Sequence, residues 1–154
     1  MKFFVMKATP CLVFFLFTVV VFLCGCSGDF EQSYHSYDDL ERLHNLRLQG
    51  WFPDMLGPDG FDLREVHSIG PIESFGKFSY SDHKRIDSLL SDKGIYREVS
   101  IDSLNQFMKG FKTVQAPDWF LKKEEYSGKA MFRREAMYFI QSKEDSTIYF
   151  ACKS

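Results

Sequence analysis

Glu65 and His67 are the residues in this sequence whose types and spacing could most readily do chemistry. They stand two apart in Phe61-Asp62-Leu63-Arg64-Glu65-Val66-His67, a stretch that reads as a β-strand. Period-two alternation then puts both on one face, together with Phe61, Leu63 and Ile69. A carboxyl and an imidazole inside an apolar stripe have titrations tuned by burial, which suits an acid-base pair or two metal ligands. The competing reading is structural: a pair hydrogen-bonded to the loop after Trp51 or to backbone, or a bulge that turns both side chains outward. A metal would need further ligands, and His35, His44 and His83 show no paired-ligand spacing. Asp54, Asp59 and Asp62 surround glycines without the alternation of a calcium loop. Nucleophile-elbow, phosphate-loop and dinucleotide patterns are absent, so the expectation is a protein without catalytic activity, metal or cofactor.

Aromatic side chains are the second anomaly, with 17 Phe, 7 Tyr and 2 Trp in 154 residues. Trp51-Phe52, Trp119-Phe120, Tyr138-Phe139 and Tyr149-Phe150 are adjacent pairs. Neighbours on a strand point to opposite faces, so one layer of helices cannot bury both members of the last two pairs. Either something covers the second face, or that face binds a partner. Charge excludes one class of partner: 19 basic against 21 acidic residues supply no electrostatic footprint for nucleic acid.

The elements that must hold these residues follow from pattern. Lys2 and Lys7, an uncharged apolar run from Cys11 to Leu23, and an abrupt polar switch after Cys26 form a secretory signal layout. The run is too short for a spanning helix, which needs about 20 apolar residues. Ser27 to Ser36 reads as a polar tether. A helix carrying Leu40 and Leu43 follows, capped near Ser36 and ended by Gly50. Phe61–His67 and Phe75–Tyr80 are expected as a loose hairpin, and Ser81 or Asp82 caps a helix with Ile86, Leu89 and Leu90. A short strand is expected over Ile95–Ile101, then a helix capped by Asp102 or Ser103, then a one-turn helix at Pro117–Phe120. Met131-Phe132, Ala136–Gln141 and Thr147–Cys152 should form an antiparallel meander ending in a C-terminal β-hairpin. The expected fold is therefore α+β, a mainly antiparallel sheet of four or five strands with two or three short helices on one face.

Two resemblances sharpen this. Leu23-Cys24-Gly25-Cys26 resembles the lipobox of bacterial lipoproteins, which implies a signal peptide over residues 1–25 and a lipidated Cys26 starting the mature chain. Several acyl chains anchor durably, at about 0.8 kcal/mol per buried methylene. Cys11 and Cys24 then leave with the signal and Cys26 carries lipid, so Cys152 remains alone and forms no internal disulfide. The organisation expected is residues 1–25 removed, 26–36 lipidated cysteine and tether, and 37–154 one α+β domain. Further on, Gly50-Trp51-Phe52-Pro53, Glu65-Val66-His67 and Phe78-Ser79-Tyr80 resemble a family of small bacterial lipoproteins that includes the YbbD head domain. The resemblance rests chiefly on Trp51, Pro53, Glu65 and His67. Gly57-Pro58-Asp59-Gly60 and Ser68-Ile69-Gly70 depart from its pattern.

The functional expectation is an extracytoplasmic lipoprotein held to the cell membrane or outer membrane through acylated Cys26. Its role would be to bind another envelope protein, as an inhibitor or immunity factor for example. The alternatives are a small-ligand or metal-binding protein centred on Glu65 and His67, and a purely structural envelope protein.

Overall fold

The computed structural model describes residues 29–43, 51–68 and 72–153. In chain order these form β1 (Phe30–Ser36), α1 (Tyr37–Leu43), β2 (Gly60–His67), β3 (Glu73–Tyr80), α2 (His83–Leu90), β4 (Arg97–Glu98), α3 (Ile101–Met108), a 3-10 turn (Lys123–Tyr126), β5 (Ala130–Arg134), β6 (Met137–Ser142) and β7 (Thr147–Lys153). The strands make one sheet in the order β1-β2-β3-β7-β6-β5-β4. Every pairing is antiparallel.

Seven strands replace the four or five expected. The strand without an expected counterpart is β1, which occupies the segment read as tether. Its alternation of Phe30, Gln32 and Tyr34 against Glu31, Ser33 and His35 carries too little apolar contrast to signal a strand. It is a strand because β2 templates it: the register is regular from Phe30 opposite His67 to Ser36 opposite Phe61. At the other edge, the strand expected over Ile95–Ile101 shrinks to Arg97–Glu98. Turn hydrogen bonds from Ile95 and Tyr96 to the Asp92 carbonyl hold its start. Ser100 takes its end as the cap of α3, accepting from the Ser103 amide at 3.3 Å.

Placement of the helices on one face is also overturned, because both faces of the sheet are covered. On one face, Leu40 of α1, Phe52, Met55 and Leu56 of the following loop, and Ile86 and Leu90 of α2 pack over Leu63, Phe78, Phe139, Ile148 and Phe150. On the other, Leu104 of α3, Val114, Phe120 and Tyr126 cover Val66, Phe75, Tyr138, Ile140 and Tyr149. Tyr138-Phe139 and Tyr149-Phe150 are thereby split, one ring into each core. Burial of each such side chain contributes roughly 1.5–3 kcal/mol, so the aromatic excess is spent on two cores.

Caps and turns fix the rest. The Ser36 hydroxyl accepts from the Asp39 amide at 3.2 Å, and the Asp82 carboxylate from the Arg85 amide at 2.9 Å. Pro117–Phe120 is a single hydrogen-bonded turn, closed by the Phe120 amide on the Pro117 carbonyl at 2.9 Å.

Candidate functional site

β2 is irregular where the stripe begins. Its register against β3 shifts between Phe61 and Arg64, and Asp62 sits at φ +47°. An L residue held in the left-handed region marks a bulge, and a one-residue bulge reverses the facing of what precedes it. Phe61 is therefore off the buried stripe and 45% exposed, whereas Leu63 is buried. The expected common face survives for Leu63, Glu65 and His67. Ile69 lies outside the described residues.

Glu65 and His67 are buried, with Glu65 fully enclosed at 0% exposure. His67 Nδ1 lies 2.8 and 3.0 Å from the two Glu65 carboxyl oxygens. Burial pushes the Glu65 carboxyl up to about 8 and pushes the His67 imidazole below its usual range. Near neutral pH the carboxyl keeps its proton and donates it to Nδ1 of an uncharged ring, whose own N–H is then at Nε2. The contact is a neutral hydrogen bond, which avoids the cost of burying two ions.

Aromatic rings close around the imidazole. Trp51 packs on it with ring centroids 3.1 Å apart, and Phe30 stacks on it at 5.7 Å and 18°. Phe30 reaches it because β1 places Phe30 directly opposite His67. Gln32 stands opposite Glu65 in the same ladder, and Tyr34 Oη donates to Gln32 Oε1 at 2.7 Å. Burial first, and the nearby Glu65 second, raise the Tyr34 phenol above its ordinary range. Pro53 is buried in the same loop, where its carbonyl accepts from the Leu56 amide at 3.0 Å. The structure thus joins Trp51, Glu65 and His67 directly and sets Pro53 in the turn that carries Trp51. Cys26, the candidate lipid site, lies outside the described residues. Among the described residues no group of three His, Cys, Asp or Glu is arranged to hold a metal ion.

Three features were not anticipated from the sequence. Glu73, at the start of β3 and buried, accepts from the consecutive amides of Lys112, Thr113 and Val114 at 2.7–3.1 Å. Burial raises its pKa, and those three N–H donors more than offset it, holding the carboxyl below its usual range. The signal available was an acid beside Ile72 and Phe75 in a strand, a position that demands donors. The second feature is Asp59, which sits 2.6 Å from the Arg85 guanidinium and accepts from the Asp82 amide at 3.0 Å, tying the Gly57–Gly60 loop to α2. The third is a groove of about 720 Å³ between α2 and β4–β6, lined by Leu90, Tyr96, Arg97, Phe132, Gln141 and Lys143. Its buried amide, Gln141, is engaged with Tyr80 Oη at 3.1 Å and Asp87 at 2.9 Å.

The arrangement at Glu65 and His67 can hold a proton between two atoms and can brace β1 and the Trp51 loop against β2. No curated protein and no solved structure matches the chain. Residues 29–79, the stretch that contains β1, α1, the Trp51 loop, β2 with its Glu65–His67 pair, and nearly all of β3, match the family model of the YbbD head domain.

Proposed function

We propose that the protein is a lipid-anchored module of the bacterial envelope that binds another protein, and that the outer edge of β1 is where it does so. One observation carries this reading. Both faces of the sheet are covered and the acid-imidazole pair is closed, yet β1 presents seven residues of edge without a neighbouring strand among the described residues. Natural edges are guarded by brevity, charge, proline or bulges. β4, the opposite edge, is guarded: it is two residues long and both are charged. β1 has no proline, no lysine and no shift in its register with β2, and it exposes 44% of Phe30. An edge of that kind accepts an extended segment by strand addition, with main-chain hydrogen bonds supplying affinity.

Anchoring rests on Cys26 and its lipobox resemblance, four residues before β1. It would hold the binding edge near the bilayer. Trp51, Pro53, Glu65 and His67 then serve the edge from beneath, since they fix the residue that Phe30 stacks on. The test is chemical crosslinking of the full chain in envelope membranes, followed by mass spectrometry of what it retains. A protein retained by the wild type and lost when Phe30→Asp is introduced supports the reading. Retention of nothing, or of the same proteins by both, overturns it.

A further inference from the structure

The geometry points to a second copy of this chain as the segment that pairs with β1, a step that rests on the edge-binding reading above and names its partner. Two edges related by a two-fold axis normal to the sheet pair antiparallel and keep matching faces together only when the axis passes through a residue. Centred on Ser33, the axis uses all seven residues of β1, which runs Phe30-Glu31-Gln32-Ser33-Tyr34-His35-Ser36. It sets Glu31 opposite His35 twice, Gln32 opposite Tyr34 twice, and Ser33 opposite itself. Each exposed carboxylate thus meets an exposed imidazole, and each amide meets a phenol. Centred on Gln32 or Tyr34, the axis leaves two residues of the strand unpaired and no longer brings Glu31 to His35.

The same register handles Phe30, which is exposed on the lone chain and stacks on His67 beneath. It comes opposite Ser36 of the second copy and diagonal to its Tyr34, within reach of an aromatic side chain. The Glu31 carboxylate already accepts from the Trp119 indole N–H at 2.6 Å. Two carboxylate oxygens accept from more than one donor, so Trp119 orients Glu31 and leaves capacity for the partner's imidazole. The product is a continuous fourteen-stranded sheet whose remaining edges are the two short, charged β4 strands.

The experiment uses the full chain in detergent, with mass measured by light scattering and crosslinks mapped by peptide mass spectrometry. Wild type is expected at twice the mass of one chain. Glu31→Lys sets lysine opposite imidazole and should weaken association by roughly tenfold. Adding His35→Glu to that variant sets a carboxylate opposite the lysine and should restore the pairing, although the Trp119 bond is lost in both. Ser33→Cys should form a disulfide between the two substituted positions, which lie within bridging distance across the axis. His35→Cys should form none, because its two copies sit about 13 Å apart along the strands. A monomeric wild type, failure of the double variant to recover, or a bridge at position 35 but not 33 overturns self-pairing. If a monomeric chain still loses a different captured protein on Phe30→Asp, only the identity of the partner falls. If it captures nothing, the edge-binding reading falls with it.

Discussion

One proton too many defines the Glu65–His67 pair. Unfolded, a glutamate titrates near 4.3 and a histidine near 6.5. Folded, Glu65 keeps its proton up to about 8 and His67 gives its proton up early. Just below about pH 6.5 the proton that the unfolded state keeps on His67 is matched by the one the folded state keeps on Glu65, so there the two shifts oppose each other. Between about 6.5 and 8 the folded state holds one proton and the unfolded state none, so stability must fall as pH rises. The slope is bounded by about 1.4 kcal/mol per pH unit. Denaturation across pH should show this fall in wild type and lose it in Glu65→Gln, whose amide still donates to Nδ1 without titrating. His67→Ala removes the acceptor and the platform for Trp51 and Phe30. It should cost about 1–3 kcal/mol in urea unfolding, with a larger penalty than Glu65→Gln. The spacing of Glu65 and His67 made the pair legible in the sequence. That Phe30 lids it was not, because the contact exists only through the β1–β2 register.

At the scale of elements, two close approaches set the packing. Gly76 lies under the Phe150 ring, and a Cβ built there falls 2.0 Å from the ring carbon Cζ. Gly76→Ala should therefore destabilise by about 1–3 kcal/mol, measured as a lowered urea midpoint at unchanged slope. Glu73 clamps the loop after α3 by three backbone amides. Because its folded pKa is lowered, its contribution is complete above the ordinary carboxyl range and fades as pH falls through it. Glu73→Gln should cost about 1–3 kcal/mol at pH 7 and less near pH 3, which unfolding at the two pH values compares. Helix α2 and the strands β5 to β7 were legible, since capping and alternation act locally at Asp82, Ile86 and Leu90 and along 130–153. β1 was not, because a strand with mixed polarity on both faces is specified by its neighbour. The bulge offered as one reading of this strand does exist, but at Asp62, where it turns Phe61 outward and leaves Glu65 and His67 buried; alternation alone does not say at which residue a strand breaks register.

For the molecule as a whole, the aromatic pairs left two possibilities, a covered second face or a binding one, and the structure covers it, with α1, α2 and the Trp51 loop on one side and α3 with its following loop on the other. The count of strands was too low because β1 is specified by its pairing with β2 and not by its own pattern, and the one-sided helix layer was wrong because the loop after α3 carries much of the second cover, with Val114, Phe120 and Tyr126 among the buried residues. What the finished fold leaves unguarded is one edge of the sheet. If Cys26 bears the anchor, Cys26→Ala should move the chain from the membrane pellet to the soluble fraction and abolish incorporation of labelled fatty acid. The most direct test of an edge-binding envelope module is photocrosslinking in intact cells from a benzoylphenylalanine placed at Phe30, with the same probe at exposed Lys93 as comparison. A discrete protein adduct, a second copy included, is expected from position 30 and none from position 93. No adduct from position 30, or the same adducts from both, would contradict edge binding.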